Sequence, residues 1–116
     1  MTAEEKDLFI KQKAAEHIPA VNDKILWSLH AVKKLRIEGL RKAEVESSLK
    51  GCIIIEDYPV EGRPLPDCLV LGFLGYDPVH SVIAIDREFD RILMITVYRP
   101  SAGRWESDWK KRKKQS

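Results

Sequence analysis

Two histidines, a tyrosine and a group of cations are the residues of this chain best suited to chemistry. They are His30, His80 and Tyr98, with Lys33, Lys34, Arg36, Thr96 and Arg99 as a substrate-binding set. Cleaving RNA without a metal ion would use such a set. The ribose 2′-OH must lose a proton as it attacks the adjacent phosphorus, and the leaving 5′-oxygen must gain one. Imidazole serves either task near neutral pH. Fixed cations balance the charge that builds on the phosphoryl oxygens, and Tyr98 would position the phosphate. Plainer readings stand beside these. A histidine at a helix border is often a partly buried side chain with a polar tip. His80 directly follows a turn and can cap a strand, and Tyr98 can be an ordinary strand aromatic.

The element that must position His30 is the stretch WSLHAVKKLRIEG, Trp27 to Gly39, which reads as an amphipathic helix. Ile25, Leu29, Val32 and Leu35 recur at spacings of three and four and are expected to share a buried stripe. His30, Lys33 and Lys34 lie at i, i+3 and i+4 and are expected to point together, with Arg36 near the end. Gly39 closes the helix because it tolerates a left-handed backbone, and Asn22 or Asp23 can cap its start. Upstream, Ala3 to Glu16 favour helix, with Thr2 and Glu5 in capping-box spacing. Leu8, Phe9 and Ala15 give only a narrow apolar stripe, as for an outer helix or an arm to a partner. The Ile18–Pro19 step ends it. A short third helix follows within LRKAEVESSLKG, on Val45 and Leu49, and stops at Gly51.

The period then changes to that of strands. Ile53 to Tyr58 form the first, stopped by Pro59. After the loop VEGRPLPD come CLVLGFLG, the turn YDPV, HSVIAID from His80 to Asp86, the connection REFD, and RILMITVY from Arg91 to Tyr98. Short connections make the last three an antiparallel meander. The expected fold is α+β, with N-terminal helices on one face of a four-stranded, mainly antiparallel sheet. Alternation puts His80, Val82 and Ala84 on one face. On the last strand it separates Ile92, Met94, Thr96 and Tyr98 from Leu93, Ile95 and Val97. The aliphatic set is expected to meet the helices, and the face with Thr96 and Tyr98 to be the open one, with His80 near it. Trp105 and Trp109 are spaced as on a helical turn. The chain reads as one domain, 1–116, with a helical extension to residue 20, a core over 21–105 and a basic tail over 106–116.

Bulk properties bound the function class. A chain of 116 residues with 44% hydrophobic and 33% charged content builds one globular domain. No run approaches the roughly 18 apolar residues of a membrane span, and the acidic start MTAEEKDLF is no signal peptide, so the cytoplasm is the expected location. From Trp105 to Ser116 there are five cations and two anions, a net of +3, which leaves −1 for the rest of a chain whose total is +2. Attraction to polyanions therefore rests on local clusters and the last turn of the chain, where Lys110 to Lys114 can hold RNA backbone or form a solvated tail. Cys52 and Cys68 lack zinc-site spacing. Cys68 is expected to be buried, and a disulfide would be unusual in a reducing compartment. GFLGYD is not a GxGxxG phosphate loop and no helix follows it, so no nucleotide cofactor is expected; there is also no GxSxG nucleophile motif. Asp57, Asp67, Asp77, Asp86 and Asp90 fall at turns and strand ends, where Asp is common, so no metal is expected either.

The stretches LHAVKKLRIEGL, GCIIIEDYP, RPLPDCLVLG, PVHSVIAID and ITVYRP, with Trp105 downstream, resemble the prokaryotic family catalogued as domain of unknown function 4258. The resemblance covers Leu26 to Trp105. It implies a fold of the RelE-, barnase- and colicin-like ribonucleases. It also implies a toxin of a type II toxin–antitoxin pair, acting on RNA alone or on the ribosome, commonly beside a small zinc-finger antitoxin. His30, Lys34, Arg36, His80, Thr96 and Tyr98 match that family's polar positions. Glu38 stands where a basic residue is usual, and Lys34 where an arginine is common. Two other functions remain open: a non-catalytic module of this fold that binds RNA or protein, and a regulatory subunit docking through its N-terminal helix and the Trp105/Trp109 segment.

Overall fold

Thr2 starts the first helix, α1 (Ala3–His17), as its spacing to Glu5 requires. Its hydroxyl accepts from the Glu5 N–H at 3.1 Å, while the Glu5 carboxylate accepts from the Thr2 N–H at 3.0 Å. Two helix-end donors are thereby satisfied. The computed structural model describes residues 1–18, 23–58, 62 and 64–114. Pro19, Asn22 and Pro59, expected to end a helix, cap a helix and stop a strand, lie outside these. The buried side of α1 is not Leu8 and Ala15, which are exposed, but Lys6, Ile10, Lys13, Ala14 and His17. Three polar residues sit on that side because partners await them. Lys6 Nζ pairs with Asp57 and donates to the carbonyl of Asp67 at 3.0 Å. His17 Nδ1 accepts from the Lys24 N–H at 3.1 Å, and its Nε2 faces Glu46 at 3.3 Å. The helix thus packs against the body of the domain rather than outside it.

A strand was missed in the sequence. Ile25–Trp27 is β1, paired in parallel with the last strand, and not the first turn of the central helix. The helix α2 (Leu29–Glu38) begins after Ser28, whose hydroxyl accepts from the Ala31 N–H at 3.0 Å. It ends as expected at Gly39, with φ 66° in the left-handed region. Short α3 (Lys42–Ser48) and a 3₁₀ turn (Leu49–Gly51) follow.

The sheet has five strands rather than four, in the order β1–β5–β4–β3–β2. The others are β2 (Ile53–Asp57), β3 (Asp67–Leu74), β4 (Asp77–Asp86) and β5 (Arg91–Tyr98). All pairs but β1–β5 are antiparallel, and the meander of β3, β4 and β5 is present. Strict alternation fails on β5. Val82 opposes Thr96, whereas Ile83 opposes Met94, so Ile95 is one residue more than β4 can match. This bulge reverses the faces. Ile92, Met94 and Val97 all enter the core with Val79, Ile83 and Ile85, under α1 and α3. Thr96 and Tyr98 turn to the other face, with His80. Ile95, expected in the core, is exposed. The bulge is held from outside: Ser28 donates its N–H to the Met94 carbonyl at 3.0 Å and its hydroxyl to the Ile95 carbonyl at 2.9 Å. Both cysteines are free and buried.

Candidate functional site

The helix α2 has three sides, set by its rotation against β5. At 3.6 residues per turn, Ala31 and Leu35 share the buried side. His30, Lys34 and Glu38, at i, i+4 and i+8, form the adjoining row. Leu29, Val32, Lys33, Arg36 and Ile37 occupy the third side and are exposed. The expected stripe of Ile25, Leu29, Val32 and Leu35 is therefore not the buried one. Ile25 belongs to β1, and only Leu35 of the four is a buried helix residue. Lys33 and Arg36 likewise point away from Lys34, because one residue turns about 100° around the axis.

The row His30–Lys34–Glu38 runs beside Thr96 and Tyr98, which share a face of β5. His30 Nε2 lies 3.0 Å from Thr96 Oγ1, and Lys34 Nζ lies 3.3 Å from Glu38. Arg99, one residue beyond the strand, donates to the carbonyls of Glu38 at 2.9 Å and Gly39 at 3.3 Å. It ties the end of α2, where carbonyls lack helical partners, to the end of β5.

His80 sits opposite Tyr98 across the ladder, on the face expected. That face is not open. The segment after Pro100 folds back over it instead of forming a helical turn, and Trp105 bridges to Arg112. Trp109, with φ 63°, turns its carbonyl onto His80. His80 is 0% exposed. Its Nε2 lies 2.7 Å from the Trp109 carbonyl oxygen, which can only accept, so that nitrogen carries the hydrogen. Nδ1 then accepts from the Tyr98 hydroxyl at 3.1 Å. The Trp105 ring meets the imidazole edge to face at 4.3 Å. Burial lowers the His80 pKa below its ordinary value and raises that of Tyr98. The pair is therefore held as neutral imidazole and neutral phenol.

Arg112 fastens the returning segment. Its Nε and Nη2 reach the Glu56 carboxylate at 2.7 and 3.0 Å, and its guanidinium lies 4.8 Å from the Trp105 ring centre. The hydrogen bond to Arg112 lowers the Glu56 pKa, and Glu56 in turn holds Arg112 charged. The fold thus leaves a cleft of about 420 Å³ lined by Lys34, Glu38, Tyr98, Arg99, Ser101, Arg104, Trp105 and Arg112. Four cations (Lys34, Arg99, Arg104 and Arg112) and the Tyr98 phenol line it together, with one carboxylate, Glu38, among them. Such a cleft suits an anionic, hydrogen-bonding ligand.

Of the residues singled out in the sequence, Lys34, Tyr98 and Arg99 line this cleft. His30 and Thr96 stand one helical turn and one strand pair further along the same strip. His80 lies behind Tyr98, and Lys33 and Arg36 lie on the far side of α2. Glu38, Ser101, Arg104, Trp105 and Arg112 complete the lining. Arg112 could be suspected from its place in the basic tail, but nothing in the sequence pairs it with Glu56. Among the described residues no three His, Cys, Asp or Glu side chains gather as a metal-binding group, and no helix is long and apolar enough to cross a membrane.

No curated protein and no solved structure matches the chain. A family model does match, over residues 27–99. That span takes in α2 with its three sides, the four antiparallel strands, and His30, Lys34, Thr96, Tyr98 and Arg99. It leaves out α1 and the returning segment that covers His80. The chain belongs to the family described as domain of unknown function DUF4258.

Proposed function

We propose that this protein is an endoribonuclease that cleaves RNA by 2′-OH attack without a metal ion, on a RelE/barnase-like scaffold, as the toxin of a type II toxin–antitoxin pair. The observation that carries the reading is the continuous strip along α2 and β5: His30 with Thr96, then Lys34 with Tyr98, then Arg99, Arg104 and Arg112. His30 is the accessible imidazole on it. In the reaction, His30 takes the proton of the 2′-OH as that oxygen forms a bond to the adjacent phosphorus. The P–O5′ bond breaks, leaving a 2′,3′-cyclic phosphate, and O5′ takes a proton from solvent or from the protonated His30. Lys34, Arg99 and Arg112 offset the charge on the phosphoryl oxygens. Tyr98, whose hydrogen is committed to His80, offers its oxygen to a sugar hydroxyl. His80 is then a positioning residue, not the acid. The partners of this reading are RNA, alone or on the ribosome, and a cognate antitoxin, with a small zinc-finger protein as the candidate. The site of action is the cytoplasm.

The test is cleavage of single-stranded RNA in the presence of chelator, and of mRNA on translating ribosomes in their ordinary magnesium buffer. Wild type should yield 2′,3′-cyclic phosphate ends, and His30→Ala should lose at least about a hundredfold in rate, the lower range for a proton-transfer group. Full cleavage by His30→Ala would end the assignment. A second reading has its own support, since Lys34 is engaged by Glu38 and both His80 nitrogens are occupied. In it the cleft binds RNA and does no chemistry. Recovery of intact RNA from a saturated complex, with and without ribosomes, would favour that module.

A further inference from the structure

We propose that the outward side of α2 is the docking surface for an acidic amphipathic helix of another protein. Leu29 is 82% exposed, Val32 47% and Ile37 72%. Three large aliphatics on one side of a ten-residue helix are more than scatter. They fall at i, i+3 and i+8, spacings that belong to one apolar stripe of an amphipathic helix. Val32 and Ile37, with the stems of Lys33 and Arg36, already shape a shallow depression of about 380 Å³.

Charge decides the occupant. Lys33 and Arg36 stand inside this stripe, and neither has an ion-pair partner among the described residues, whereas Lys34 on the neighbouring row is paired with Glu38. A helix with Leu or Ile at its centre and Glu or Asp on its flanks would cover the aliphatics and complete both cations. A second copy of this chain would set cation against cation. An RNA backbone would meet the cations but leave Leu29 and Ile37 in water. A lipid surface draws strength from a large buried apolar area, and this stripe spans only about two turns. The surface is turned away from the cleft, so the inference stands independently of the ribonuclease reading.

The experiment displays a library of helix-forming peptides on phage, with leucine fixed at the heptad core and the flanks varied among Glu, Gln and Lys. Selection uses the full chain, with counter-selection on the Leu29→Ser/Ile37→Ser chain. Glu-flanked peptides should be enriched. They should bind wild type at least about tenfold tighter than the Lys33→Glu/Arg36→Glu chain, a loss of about 1.4 kcal/mol. The reversed chain, which keeps its aliphatic anchors, should select Lys-flanked peptides instead. Absence of enrichment, or equal enrichment of Gln- and Lys-flanked peptides, overturns the proposal. So does retention of wild type on phosphatidylserine vesicles, retention on RNA, or self-association in sedimentation, if Leu29→Ser/Ile37→Ser abolishes it.

Discussion

Replacing His80 by phenylalanine keeps the ring and deletes its two nitrogens. The edge-to-face packing on Trp105 at 4.3 Å can persist. Two hydrogen bonds vanish, from His80 Nε2 to the Trp109 carbonyl at 2.7 Å and from the Tyr98 hydroxyl to Nδ1 at 3.1 Å. A polar group left without its partner in a buried site costs about 1–3 kcal/mol. Both contacts are only part-buried, so water can reach the stranded carbonyl and phenol, and the sum should fall near 2 kcal/mol at neutral pH. The pH dependence carries more information than the size. Burial holds the folded imidazole below its ordinary value of 6.5, so below that pH the unfolded chain binds more protons than the folded one. The stabilisation is complete above 6.5 and is lost as pH falls through the folded value. His80→Phe removes that group, so the stability gap between wild type and variant should narrow on acidification. Urea titrations across this range measure it, with an unchanged slope showing that the same surface unfolds. A gap that is absent, or that stays constant with pH, would refute the neutral, doubly bonded His80.

Other outcomes follow from single contacts. A Cβ on Gly72 would stand 2.8 Å from Ser48 Oγ, so Gly72→Ala should cost about 1–3 kcal/mol. Ser48→Gly should restore much of the loss in a double-mutant cycle of urea midpoints. Lys6→Met removes the donor that ties α1 to the Asp67 carbonyl and to Asp57. It should cost about 1–3 kcal/mol and speed amide exchange in α1 more than in β4. Glu38→Gln releases Lys34 from its carboxylate. Single-stranded RNA should then bind tighter, with a logarithmic salt slope steeper by about 0.7 for one added phosphate contact. Filter binding at several salt concentrations reads this, and an unchanged slope would remove Lys34 from the phosphate contacts.

Much of the chain was legible because its signals are local. The Thr2–Glu5 box, the glycine stop at Gly39 and the close-spaced strands of the meander each depend on a few neighbouring residues, and each is present. The opposition of His80 and Tyr98 is not local in this sense: counted without a break from Asp86 and Arg91, the register would set His80 against Val97, and the bulge at Ile95 brings Tyr98 there instead. What misled was period taken without a neighbour. Leu29, Val32 and Leu35 fit a helical stripe, yet a helix buries whichever side meets the sheet, and Ala31 with Leu35 meet β5. Helical periodicity gives no sign that polar Lys6, Lys13 and His17 face inward on α1, because their partners lie on β2, β3, β1, α3 and the β4–β5 turn.

Local signals carried the helices, the four antiparallel strands with their meander, and the residue types available for phosphate chemistry, but not the parallel strand β1. Only tertiary structure decided which of those residues share a site. The Ser28–Ile95 contact spans 67 positions, and with it come the bulge that reverses the faces of β5 and the placing of His30 against Thr96. The fold-back that buries His80 depends on Arg112 finding Glu56, 56 positions away. Local propensity fixes a residue's backbone state within a turn or two. The direction a side chain finally faces depends on burial and pairing against segments distant in the chain, and their positions are settled only when the whole domain packs.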